Sequence, residues 1–301
     1  MRTHHWPAMC RPVNTFRSNS RNKPSTVDGY LDVLLPFVER INKLTLPITV
    51  DELGYQAGIH SVSLNDSKVR IFHASLGYFL PFVNRTRVTA ELKGLEKLRP
   101  STPASPLTFP LLIALSAFCS WTYGFAQAVG VVVGFFGLLR AQEISKIRKI
   151  DVMVRGGDIK LTTIRLGQTK NGREQVVQFA PNCLAELMLV KLCKHTTNPY
   201  APLFGFRKYT DVYRVVLAFN DRFQLNLRFR PHSLRAGGAT YYRAQGWQIA
   251  DIQDLGRWAN LNTAKGYIDL VFTLLPECKH AEQQVAPTAQ SALAPMCAAK
   301  F

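Results

Sequence analysis

The stretch Arg230-Pro231-His232-Ser233-Leu234-Arg235-Ala236-Gly237-Gly238 decides how the rest of this chain is read. Pro231 suits the entrance of a helix, where its missing N–H costs nothing. The three-residue spacing then places His232 and Arg235 on one helical face. A guanidinium offers a bidentate fork and an imidazole a tunable proton, so the pair can hold one phosphate between them. By itself the spacing also fits a surface pair at a helix start. What surrounds it matters more. Trp258 lies 23 residues after Arg235, within Leu255-Gly256-Arg257-Trp258, and Tyr267 follows nine residues later. Upstream is Gly137-Leu138-Leu139-Arg140-Ala141-Gln142-Glu143, and between the two segments lies Gln168-Thr169-Lys170-Asn171-Gly172.

The chemistry-bearing residues sit in a mixed pattern of elements. Ile150–Val154, Ile159–Leu166 and Gln175–Phe179 alternate as strands. They are separated by Gly156-Gly157 and by Lys170-Asn171-Gly172. Both separators are hairpin signals, so a three-stranded antiparallel meander is expected, with Lys170 at a tip. Residues 181–275 return to helical patterns.

No charged residue occurs between Arg99 and Arg140, and Leu111 to Leu139 is strongly apolar. Its length would allow a membrane span. Ser116, Ser120, Thr122, Tyr123 and Gln127 interrupt it, so two buried helices of a globular core fit better. Before it, Pro100-Ser101-Thr102-Pro103-Ala104-Ser105-Pro106 reads as a linker.

Residues 30–98 read as helices. Leu31, Leu34, Leu35, Val38 and Ile41 recur at helical spacing, although Pro36 argues for a break or kink. Thr49 is an N-cap candidate with Glu52 three residues on. Residues 1–25 read as a mobile basic arm, and residues 276–301 as a weakly ordered tail.

Composition narrows the partner. The 301 residues carry 37 Lys and Arg against 20 Asp and Glu, a net charge of +17. Residues 1–104 contribute +6, residues 105–275 contribute +11, and the rest are neutral. The excess is therefore spread over folded regions, and a polyanion is the expected partner. Cys10, Cys119, Cys183, Cys193, Cys278 and Cys297 form no Cys-x-x-Cys pair, and reduced intracellular thiols are expected. The polar N-terminus is no secretory signal.

Taken in order, Arg140, the hairpin Lys170, His232-x-x-Arg235, Trp258 and Tyr267 resemble the tyrosine recombinase (phage integrase) family, most closely its Cre-like members. The likeness covers about residues 30–275. It implies an α+β fold, mainly helical. A small core-binding DNA clamp would span residues 26–99, a linker 100–106, and a catalytic domain with a three-stranded sheet 107–275. It implies a DNA strand-exchange enzyme that forms a 3′-phosphotyrosyl intermediate and needs no cofactor, neither ATP nor metal. Tyr267 would be the nucleophile. Arg140 and Arg235 would grip the non-bridging oxygens, with His232 and the Trp258 indole N–H beside them. Glu143 would orient Arg140 or His232, and Lys170 would protonate the leaving 5′ oxygen. Lys146, Arg148, Lys149, Arg173 and Arg257 are weaker candidates for contact with DNA. Double-stranded DNA is the expected partner, bound by a homo-tetramer on paired sites, with no membrane. The place of action would be intracellular: the nucleus in a eukaryote, the cytoplasm or nucleoid in a bacterium or phage. A mobile element is the biological context the resemblance suggests. A type IB topoisomerase-like enzyme and a catalytically silent, domesticated DNA-binding protein are the alternatives.

Overall fold

The computed structural model describes residues 24–44, 49–98, 104–168 and 174–297. The chain divides into two compact units, Met1–Thr102 and Pro103–Phe301. The expected basic arm, and the hairpin tip with Lys170 and Arg173, lie outside the described residues.

The first unit is helical: α1 (Pro24–Asn42), α2 (Val50–Val62), α3 (Asp66–Phe79) and α4 (Thr86–Leu98). Thr49 caps α2 by accepting the Glu52 N–H at 3.1 Å, and Asn65 caps α3 by accepting the Lys68 N–H at 3.0 Å. The α1 positions Leu31, Leu34, Phe37 and Ile41 are buried against Phe72 and Leu76 of α3. Helix α1 runs through Pro36 rather than breaking there. Pro36 has no N–H for the Asp32 carbonyl, but both residues lie on the exposed face, where water can replace that bond.

The second unit is built on α5 (Phe109–Thr122) and α6 (Phe125–Phe136), the uncharged stretch of the sequence. At 14 and 12 residues they are two short helices, and Leu111–Leu115 and Val131–Val133 are wholly buried. Helices apolar all round are core helices. Among the described residues no helix is long and apolar enough to cross a membrane.

After the one-turn helix α7 (Ala141–Ile144), strands β1 (Val152–Met153), β2 (Thr162–Gln168) and β3 (Glu174–Phe179) form the antiparallel sheet in the order β1-β2-β3. Val152 pairs with Ile164, and Ile164 with Val177. Ile164, Val177 and Phe179 turn one face of the sheet into the core. The ladder shifts register between Arg165 and Gln168, just before the tip. Then follow α8 (Leu184–His195), α9 (Tyr209–Arg222), α10 (Ser233–Ala244), α11 (Ile249–Gly256) and α12 (Leu261–Phe272).

One expectation is corrected here. Leu275–Cys297 is a 23-residue helix, α13, rather than a weakly ordered tail. Cys278, Ala281, Val285, Ala289 and Ala292 recur every three to four residues and are buried, with α13 lying along α5. The apolar stripe is made of small side chains, and it runs past Pro287, so its periodicity is faint in sequence. Trp121 and Trp247 are 69% and 41% exposed. Trp121 falls at the last turn of α5, beyond the buried part, and Trp247 covers the ring of Tyr242 at 4.5 Å.

His60 lies between Phe37 and Phe72, buried, with its Nε2 unpartnered. Burial first, then the charge of Arg40, lowers its pKa from the ordinary histidine value. The neutral form is the folded form, so its contribution is complete above the unfolded pKa and is lost as pH falls through about 6.5 and below. The expected result is that thermal melting of the full chain drops less between pH 7 and pH 5 for His60→Leu than for the wild type. An identical drop would show that His60 plays no part.

Candidate active site

The site grows from a bend after α6. Leu138 adopts φ +46°, a left-handed conformation unusual for leucine, and this turns its carbonyl toward α10 and the end of α11. Arg140 is the N-cap of α7, and Glu143 at the third helical position reaches back to it. The Arg140 N–H donates to Glu143 Oε2 at 2.8 Å, and Arg140 Nη1 donates to Oε1 at 2.6 Å. The Arg140 side chain remains 43% exposed.

His232 is the exposed N-cap residue of α10, and Arg235 lies one turn further along, 4% exposed. Arg235 Nη1 donates to the Leu138 carbonyl at 2.7 Å, and Nη2 donates to the Gly256 carbonyl. The glycines after Arg235 now have a reason. A Cβ at Gly237 would collide with the Leu107 carbonyl oxygen at 1.7 Å, and one at Gly238 with that of Phe135 at 2.1 Å. Helix α10 therefore sits backbone to backbone on the core, which seats Arg235 against the Leu138 bend.

Trp258 lies over Arg235, with the guanidinium carbon 4.1 Å from the ring centroid. The ring of Tyr267, from α12, lies tilted against that of Trp258, with centroids 5.8 Å apart. Ile252 and Ile268 bury the base of this stack. Gly256 is required here too, since a Cβ would meet the Trp258 ring at 1.8 Å.

The electrostatics follow from this geometry. Burial, then the charges of Arg140 and Arg257, lowers Arg235 to about 9, so it is still a cation at neutral pH. Desolvation, then Arg235 and Arg140, lowers His232, while Glu143 opposes them. His232 is thus the neutral imidazole, a proton acceptor. Burial raises Tyr267 to about 12, and the charge of Arg235 works against that rise. For Glu143, burial acts upward, but Arg257 and the bonds from Arg140 outweigh it and hold the carboxyl below its usual range.

The structure brings Arg140, Glu143, His232, Arg235, Trp258 and Tyr267 together; Lys170 and Arg173 lie outside the described residues. Among the weaker candidates, Lys146 and Arg148 are exposed, Arg148 being paired with Asp151 at 3.0 Å. Lys149 donates to the Thr196 carbonyl at the end of α8 at 2.6 Å. Arg257, expected at the DNA, is instead 6% exposed and points inward, donating to Glu143 Oε2 at 2.9 Å. Nothing in the linear sequence marks this: Arg257 directly follows the helix-ending Gly256 and takes φ +58° in the fold, a position glycine usually fills. Tyr241 and Tyr242 are packing residues, with the Tyr242 hydroxyl donating to the Phe136 carbonyl at 2.8 Å.

A mainly helical unit with a small antiparallel sheet thus gathers arginines, a histidine and a tyrosine around one bend. Residues 132–273, a little under half of the chain, match the model of the phage integrase family. Tyrosine recombinase XerA of Saccharolobus solfataricus is 31% identical over 133 residues, which are 44% of this chain and 42% of that relative. The match therefore spans less than half the length of that curated protein. Two solved structures share the fold. The XerH site-specific recombinase bound to palindromic difH substrate has a TM-score of 0.59 at 17% identity, covering 88% of this chain and 81% of that one. The lambda integrase(75-356) dimer bound to a COC′ core site has a TM-score of 0.59 at 15% identity, covering 85% and 92%.

Gly256→Ala is expected to push the Trp258 ring off Arg235 and to cost about 1–3 kcal/mol of stability, as overpacking does. Denaturant unfolding with Trp fluorescence checks this; unchanged stability and emission would contradict the stacked geometry.

Proposed function

We infer that this protein is a site-specific DNA recombinase or integrase that cleaves and rejoins strands through a 3′-phosphotyrosyl intermediate. The observation that carries the reading is the convergence of Arg140, His232, Arg235 and Tyr267 on one bend, each within electrostatic reach of another. A phosphodiester is anionic and resists attack, so its cleavage needs positive charge where negative charge develops. Arg140, with its exposed side chain, meets the incoming phosphate, and Arg235 supplies charge from beneath Trp258.

Tyr267 attacks phosphorus with its phenolic oxygen. The P–O5′ bond breaks, and the 5′ oxygen leaves with a proton from Lys170. The phenol, raised to about 12 while buried, loses its proton only with help, and neutral His232 accepts it. The phosphotyrosyl ester keeps the energy of the broken bond, so a second strand's 5′ hydroxyl reverses the reaction without ATP. Exchange between two duplexes needs four strand cleavages, which is why a homo-tetramer on paired sites is part of the reading. The net +17 charge supports DNA as the polyanion. Such an enzyme works inside the cell, where the DNA is.

Incubation with nicked suicide duplexes drawn from a random-sequence pool is expected to trap a covalent complex with the wild type and none with Tyr267→Phe. Equal trapping by both would remove Tyr267 as nucleophile. Trapping is expected to be flat from pH 8 down to about 6.5 and to fall below, as His232 gains its proton. A rate that rises on acidification would contradict a neutral base. Lys170→Ala is expected to slow cleavage of a 5′-oxygen strand but spare a 5′-thio leaving group, which needs little protonation. Equal losses on both would remove the general acid.

A further inference from the structure

Arg257 combines two features that are each unusual for an arginine. It holds a left-handed backbone, and its guanidinium is buried. Nη1 donates to the carbonyls of Leu255 at 2.8 Å and Gly137 at 3.2 Å. Nη2 donates to the Leu138 carbonyl at 3.0 Å and to Glu143 Oε2 at 2.9 Å. A buried cation is costly unless an opposite charge meets it. Here the opposite charge is Glu143, whose other oxygen is held by Arg140. The Leu138 carbonyl also receives Arg235. Arg257 therefore shares one partner with each of the two arginines assigned to the phosphate, while being too buried to meet a phosphate itself.

We propose that Arg257 is a positioning residue for phosphate binding. It takes up the charge of Glu143, so that Arg140 keeps its own charge for the substrate, and it shares the Leu138 carbonyl with Arg235, so that the two gripping guanidiniums stay in register. The proposal rests on the phosphoryl-transfer reading above. Its charge logic is simple. Arg140, Arg235 and Arg257 against Glu143 leave a net +2; without Arg257 the carboxylate cancels Arg140 and only +1 remains. The charged groups that face Glu143 are Arg140 on its own turn, Arg257 from the end of α11, and Arg235 and His232 of the α10 entrance. Arg257 is the strongest of the influences that hold its carboxyl down against burial.

The test uses the full chain as wild type, Arg257→Lys, Arg257→Gln, Glu143→Gln and the double variant Glu143→Gln/Arg257→Gln, each with a melting curve. The first readout is covalent trapping on a nicked duplex that the wild type has selected from a random pool. The second is the titration of Glu143 by carboxyl carbon NMR in glutamate-labelled protein. Arg257→Gln is expected to slow trapping on the order of 10²-fold, as small displacements of reacting groups do. It is also expected to raise the Glu143 titration by about one pH unit or more, with Arg257→Lys recovering part of both. The double variant is expected to trap faster than Arg257→Gln alone, because the unmatched carboxylate is gone. The proposal is overturned if Arg257→Gln traps at the wild-type rate. It is also overturned if trapping falls only in step with melting while Glu143 titrates as before, or if the double variant is the slower one. If the wild type traps nothing, the recombinase reading fails instead. The Glu143 titration then decides alone whether Arg257 governs that carboxylate.

Discussion

One carbonyl and one carboxylate organise this centre. The Leu138 oxygen accepts from both Arg235 and Arg257, and Glu143 joins Arg257 to Arg140. Three guanidiniums brought close would repel strongly at low dielectric. They coexist because peptide dipoles and one negative charge lie between them. The arrangement leaves a surplus of positive charge, the feature on which the proposed binding of a phosphate rests.

The fold exists to hold that bend. Core helix α6 ends at Phe136, two residues before Leu138, the glycine pair of α10 lets Arg235 approach that bend, and the left-handed turn at Arg257 brings a third cation up from the end of α11. Stacking continues outward from there. Trp258 covers Arg235 and also packs against the ring of Tyr267, the side chain assigned as nucleophile. The aromatic ring serves two neighbours at once: it shields a guanidinium and it fixes a phenol.

Much of this was legible in sequence for definite physical reasons. The charge-free run could be two buried helices because polar side chains interrupt it, and the sheet announced itself by strand alternation around Asn171-Gly172. The order of Arg140, His232, Arg235, Trp258 and Tyr267 could be read because together they resemble the tyrosine recombinase pattern, whereas each motif alone is common. Other features left weaker traces. Helix α13 buries alanine and cysteine, which carry little periodic signal, and α1 passes Pro36 because the lost bond faces water. Arg257 resembles a surface arginine in any linear reading; only the folded chain reveals its inward path to Glu143.

The central claim is that the phenol at position 267 becomes joined to DNA. Mass spectrometry of the nuclease-trimmed, protease-digested covalent complex measures this directly. The account predicts a nucleotide adduct on the peptide containing Tyr267. An adduct on Tyr241, Tyr242 or any other residue, with the Tyr267 peptide unmodified, would contradict it.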